Sequence, residues 1–267
     1  MKEAIRAAAL PARAKDEFFV GWLPMPSSYA RFSLSISILL LIVGVGIAVV
    51  AGRQQQSPGS GIWESDTSRT FEGVVYASPY AMIRVPGEKP DDPVRTILLV
   101  EEGKFGAVER VLPWDGQPVR VSGSLLHREE RRMLELAAGE TGIQPVQAMP
   151  LEVQTTLRRP SPRSLGILTL AGEIIDSKCY LGAMKPGGGK THKACAALCL
   201  AGGVPPMFVT RDAEKRETFH LLTSPEGGPI EPGVIEFVGD LVEITGELEQ
   251  QGDLQVLKVT AEQIRRR

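Results

Sequence analysis

"GQPVRVSGSLLHREERRMLEL" (116–136) and "GDLVEITGELEQQGDLQVLKV" (239–259) carry one pattern twice, at a constant offset of 123 residues. They pair Gly116 with Gly239, Val119 with Val242, Val121 with Ile244, Gly123 with Gly246, Leu125 with Leu248 and Leu134 with Leu257. Apolar and polar residues alternate in both, and the apolar positions are rich in β-branched side chains, the signature of a strand with one buried face. Glycine inside such a strand marks a bulge or a tight barrel corner. Each copy therefore predicts a glycine-bent hairpin.

Upstream of each hairpin the similarity continues. "FEGVVYASPYAMIRVPG" from Phe71 and "LAGEIIDSKCYLGAMKPG" from Leu170 share an early glycine, a strand pattern, a tyrosine and a final Pro-Gly, and "RTILLV" and "ETFHLL" follow as central strands. This pattern reads as a duplication. The expected fold is mainly β: two tandem small, partly closed β-barrels similar to OB folds, with two small sandwiches as the alternative. The expected boundaries are 70–148 for the first barrel, 149–165 for a proline-punctuated linker and 166–267 for the second barrel. Between Gly87 and Thr96 the first copy has eight residues, whereas between Gly187 and Thr218 the second has thirty. The second barrel is thus expected to carry an insertion over 179–207, and an addition to a duplicated scaffold is where acquired chemistry is sought.

Ahead of the barrels, Phe32–Ala51 runs for 20 residues without a charge. At about 1.5 Å per residue it spans a hydrocarbon core of about 30 Å. It predicts one transmembrane helix over 32–51, with a cleaved signal peptide as the alternative. Lys2, Arg6, Arg13, Lys15 and Arg31 precede it, whereas Arg53 is the lone cation in the 15 residues that follow. This bias predicts a cytoplasmic leader over 1–31 and extracytoplasmic barrels, periplasmic in a bacterium. Phe18, Phe19, Trp22 and Tyr29 suit the headgroup level equally with an ordinary leader. A polar tether containing Gly, Ser and Pro is expected over 52–69.

With 267 residues, 43% hydrophobic and 23% charged, the chain has a globular composition, and its net charge of −2 argues against a nucleic-acid partner. All three cysteines fall in "CYLGAMKPGGGKTHKACAALC" (179–199). Thr191 is a plausible N-cap and "HKACAALCLA" a short helix, stopped by Gly202 and Gly203. On that helix His192, Cys195 and Cys199 share a face.

Three readings of this segment stand. "PGGGKT" superficially resembles a phosphate loop, but Met184 occupies the place of the required first glycine. The second reading is a metal or thiol-redox site formed by Cys179, His192, Cys195, Cys199 and His220, whose thiolates and imidazoles favour zinc, copper(I) or an iron–sulfur centre. His192 and Cys199 are about 10 Å apart along an ideal helix, so only a subset is expected on one ion. The third is a structural disulfide with one thiol left over, since Cys195 and Cys199 fall within bridging range on a helix.

Lys178, Lys185, Lys190 and Lys193 are expected to surround the sulfurs. Met184 is expected to pack, His127 to lie in a solvated hairpin tip, and Glu173 and Asp176 to be surface charges at a strand end. No Gly-x-Ser-x-Gly or HExxH motif is present. The sequence therefore points to a membrane-anchored protein with no recognised catalytic motif, an accessory subunit of an electron-transfer or metal-delivery assembly rather than a stand-alone enzyme, with other membrane-bound redox or assembly proteins as partners. The alternatives are an anchored interaction module with a structural disulfide and an enzyme using a cysteine nucleophile.

Overall fold

The computed structural model describes residues 27–54, 60–89 and 92–267. The cations Lys2, Arg6, Arg13 and Lys15, and most of the expected leader, lie outside the described residues. Helix α1, Ser27–Gln54, extends past the apolar core at both ends, since no proline interrupts 27–54. Its segment Tyr29–Arg53 has a mean hydropathy of 2.8 and is long and apolar enough to cross a membrane. Leu34, Leu39, Leu41 and Ile47 on it are exposed, as expected of a helix whose apolar surface faces lipid.

Two closed five-stranded barrels follow. The first comprises β1 (Ile62–Tyr76), β2 (Met82–Val85), β3 (Arg95–Val100), β4 (Pro118–Arg128) and β5 (Arg131–Leu136), with β6 (Ile143–Pro145) added on β4. The second comprises β7 (Arg163–Asp176), β8 (Pro206–Arg211), β9 (Glu217–Thr223), β10 (Leu241–Gln251) and β11 (Leu254–Lys258), with β12 (Ile264–Arg266) on β10. In the first, the strands neighbour one another in the order β1-β2-β3-β5-β4, and β4 closes on β1; the second follows the same order. β3 pairs parallel with β5, and β9 parallel with β11. Parallel neighbours cannot be joined by a tight turn. The connections β3–β4 and β9–β10 therefore cross an end of each barrel, where Val111 and Val234 are buried.

The glycine-bent hairpins form as expected. β4 pairs with β5 and β10 with β11, and a methyl group at Gly123 would overlap the Glu135 carbonyl, as one at Gly246 would overlap that of Lys258. Only glycine lets the backbones approach this closely at the bend.

Three features differ from expectation. β1 begins at Ile62, inside the expected tether, because backbone pairing of Ile62 with His127 and Trp63 with Leu126 needs no apolar run. The strands β2 and β8 were not separately expected: β2 is buried throughout and β8 over its first four residues, so neither shows the alternation of a half-buried strand. Consequently the long segment of the second barrel lies between its first and second strands, 177–205, where the first barrel has only 77–81. "AMKPG" is therefore no counterpart of "AMIRVPG", since the counterpart of β2 is β8.

The barrels are also less separate than a linker implies. Besides a core inside each, a third core joins them, in which Leu98, Leu126 and Met133 meet Leu181, Met207 and Leu221. The linker contributes the short helix Leu151–Thr156, followed by the fully buried Leu157.

Candidate metal centre

The segment 177–205 starts where β7 ends. Asp176, fully buried, accepts the Cys179 backbone N–H through Oδ1 at 2.8 Å, which bends the chain as a short polar side chain commonly does at a turn. A single wide π-type turn follows over Cys179–Ala183, a rare local form that recurs at functional sites. "PGGG" then folds back over it. A methyl group at Gly187 would strike the Cys179 backbone, and the Gly189 N–H donates to Glu173, whose carboxyl is held above the usual range by burial.

The cysteine-bearing helix spans Lys193–Ala201. Ala196 and Leu200 face the second barrel's core, while Cys199 faces the core between the barrels, so one helix seals both. His192 rather than Thr191 precedes it, without a side-chain cap, because the imidazole turns inward: His192 Nε2 and Asp176 Oδ2 are 3.0 Å apart and both residues are buried.

All three cysteines are free thiols. The sulfurs of Cys179, Cys195 and Cys199 lie within 4.8 Å of one another, and Cys179 Sγ stands 4.0 Å from Cys195 Sγ. Met184 Sδ accepts from Cys195 Sγ at 3.5 Å, and Met184 is half exposed instead of packed. Tetrahedral sulfurs on one zinc-sized ion stand about 3.8 Å apart, given bonds of about 2.3 Å. Three points within 4.8 Å of each other lie no more than about 2.8 Å from a common centre, so shifts of about 0.5 Å would seat one ion. These three cysteines can therefore hold a metal ion together.

A second donor group shares Cys179: one ligand atom each from Asp176, Cys179 and His192, again within 4.8 Å. His192 thus groups with Asp176 and Cys179 and not with the two helical cysteines, a division of the segment's donors that the sequence left open. His220 belongs to neither group. It lies on β9, 3.3 Å from Thr210 Oγ1 and tilted against Phe208, with its Nδ1 unpartnered. Burial, aided by Arg131, lowers its pKa to about 4.

The nearest ammonium comes from the other barrel. Lys104, just after β3, places Nζ 2.7 Å from Cys195 Sγ and 3.7 Å from Cys199 Sγ, and the bond to Cys195 raises its own pKa. Cys199 and Cys179 titrate as a pair. The hydrogen bond that Cys179 donates to Cys199 lowers the Cys199 thiol, with Lys104 assisting, and raises the Cys179 thiol, as do burial and the Asp176 carboxylate.

Of the expected lysines, Lys178 is buried and engaged by other groups, paired with Glu135 and donating to the Glu101 and Gly103 carbonyls, and Lys193 binds Asp240. A cleft of about 320 Å³, lined by Trp63, Lys104, Met184, Cys179 and Cys199, leads from solvent to the sulfurs.

Sequence reasoning placed Asp176 at the surface and overlooked Lys104. The first carried a legible signal, an Asp three residues before a Cys at a strand end; the second carried none, since 91 positions separate Lys104 from Cys195. No known protein family, characterised protein or solved structure matches the chain.

Proposed function

We propose that the protein is a membrane-anchored, extracytoplasmic metal carrier whose second, OB-like barrel holds one copper(I) ion on Cys179, Cys195 and Cys199, with the Met184 thioether as fourth ligand. The convergence of three free sulfurs within 4.8 Å carries this reading. A thioether beside thiolates favours copper(I), whereas structural zinc sites are closed by thiolate, imidazole or carboxylate. Iron–sulfur clusters take four protein ligands spread over more than one iron, which three closely grouped cysteines suit poorly. Asp176 and His192 orient the turn that carries Cys179, the role that hydrogen-bonding partners of ligands commonly play.

The cleft and the half-exposed Met184 leave the site open to a partner, which supports delivery to, or electron exchange with, a membrane-bound assembly. The strand order supports the OB-like identity, and the apolar α1 supports the anchor.

The test is metal analysis of the full chain in detergent, loaded anaerobically with copper(I) or zinc. One copper per chain, retained against a competing chelator and lost in Cys195→Ser, is expected, with Met184→Leu weakening it. The 4.0 Å approach of Cys179 to Cys195 favours a second reading, a thiol pair that oxidises to a disulfide. A chain that binds neither metal but yields a Cys179–Cys195 disulfide on mild oxidation establishes that reading instead.

A further inference from the structure

Away from the cysteines, a cavity of about 150 Å³ lies between the barrels beneath the linker prolines Pro160 and Pro162. Its walls are chiefly apolar, built from Met82, Leu221, Leu254 and Val256, with the polar side chains of Arg84, Thr96, Arg159, Thr223 and Gln251 among them. Arg84 on β2 is 6% exposed, and among the described residues no carboxylate forms an ion pair with it. Its Nε donates to the Leu157 carbonyl at 3.2 Å and its Nη1 lies 3.4 Å from Thr96 Oγ1. The nearby carboxylate of Asp253 is engaged by the Thr96 N–H at 2.9 Å and hydroxyl at 2.6 Å. Thr223, 1% exposed, has a buried hydroxyl with no hydrogen-bond partner.

A buried guanidinium with no carboxylate in direct ion-pair contact and a buried hydroxyl without a partner each carry a desolvation cost that a bound ligand would offset. Burial lowers the Arg84 pKa, Asp253 opposes that, and Arg159 at the rim adds to the positive potential. An anion with an apolar body would satisfy the guanidinium, the hydroxyl and the walls together.

We infer that this cavity binds a small monocarboxylate, with Arg84 and Thr223 holding the carboxylate and Met82, Leu221, Leu254 and Val256 enclosing a short apolar tail. A cavity of this volume accommodates a benzene-sized molecule, which sets the ligand at about four to six carbons. Arg84 presents planar paired donors suited to a carboxylate. This site is independent of the metal reading.

The experiment is calorimetric titration of the full chain in detergent with butyrate, n-butanol and phosphate. Saturable 1:1 butyrate binding, at least ten-fold tighter than butanol or phosphate, is expected. Arg84→Met should weaken butyrate at least ten-fold, and Thr223→Val several-fold while leaving the unliganded protein as stable or more so. Equal binding of butanol, preference for phosphate, no saturable butyrate binding, or unchanged affinity in both variants would overturn the proposal. Should Arg84→Met fail to fold, Thr223→Val and the cavity-filling Val256→Phe decide it: butyrate affinity falls in both if the site is real, and in neither if it is not.

Discussion

Lys104 Nζ stands 2.7 Å from Cys195 Sγ, although the two residues belong to different barrels and lie 91 positions apart. The first barrel thus supplies a charge to a site whose sulfurs all come from the second. An ammionium beside sulfur favours the thiolate, the form that binds metal. In Lys104→Met the Cys199 thiol should titrate at higher pH than in the wild type, followed by thiolate ultraviolet absorbance against pH. Copper(I) uptake should become steeper in its dependence on alkaline pH. An unchanged titration would show that Lys104 only packs there.

Asp176 joins two elements: its Oδ1 accepts the Cys179 N–H and its Oδ2 faces His192 Nε2 at 3.0 Å. Asp176→Ala leaves both partners buried and unsatisfied, an expected loss of about 2–4 kcal/mol for the two groups. Asp176→Asn keeps an acceptor for the Cys179 amide and should cost less than half as much. Urea denaturation of the full chain in detergent measures both, and the metal-loaded protein should show the larger difference, since the turn positions Cys179.

The parts legible in the sequence were those written locally. Alternation and the paired Gly123 and Gly246 predicted the hairpins, and the uncharged run predicted α1, because period and length are properties of consecutive residues. The clustering of Cys179, Cys195 and Cys199 predicted a shared site for the same reason. What escaped depends on closure of the barrels: β2 is buried throughout and so shows no alternation, Asp176 looks like any strand-end carboxylate until His192 folds onto it, and Lys104 meets the sulfurs only across the interface. Met184 was expected to pack because methionine usually does, yet the π-type turn carries it out to the rim of the cleft.

Across the same interface, Arg128 of β4 donates through Nη2 to Glu217 Oε1 of β9 at 2.8 Å and lies over the Tyr180 ring, and Tyr180 donates to Glu217 at 2.7 Å. Burial raises the Glu217 pKa, but the Tyr180 hydrogen bond and the Arg128 and Arg211 charges outweigh it, so the net shift is downward. A depressed carboxylate contributes stability above its unfolded pKa of about 4.3 and loses it as pH falls through the lower folded value. Glu217→Gln should cost about 2 kcal/mol at neutral pH, as for hydrogen bonds to a charged group. That deficit against the wild type should shrink below about pH 4, read from denaturation midpoints at successive pH values.

His220 provides the opposite control, a histidine near the interface that takes no part in the candidate centre. Its folded pKa of about 4 lies below the ordinary histidine value, because burial and Arg131 disfavour the charged ring. Between about pH 6.5 and the folded value the unfolded chain binds a proton that the folded chain does not, so stability falls as pH drops through that window. Complete desolvation would make this about 3 kcal/mol, at 1.36 kcal/mol per pKa unit, and relaxation reduces it. His220→Gln keeps a polar group near Thr210 but cannot titrate. Its stability should vary less than the wild type's between pH 6.5 and 4, while its copper content stays at one per chain. Loss of copper in this variant would return His220 to the ligand set and require β9 to move toward the sulfurs.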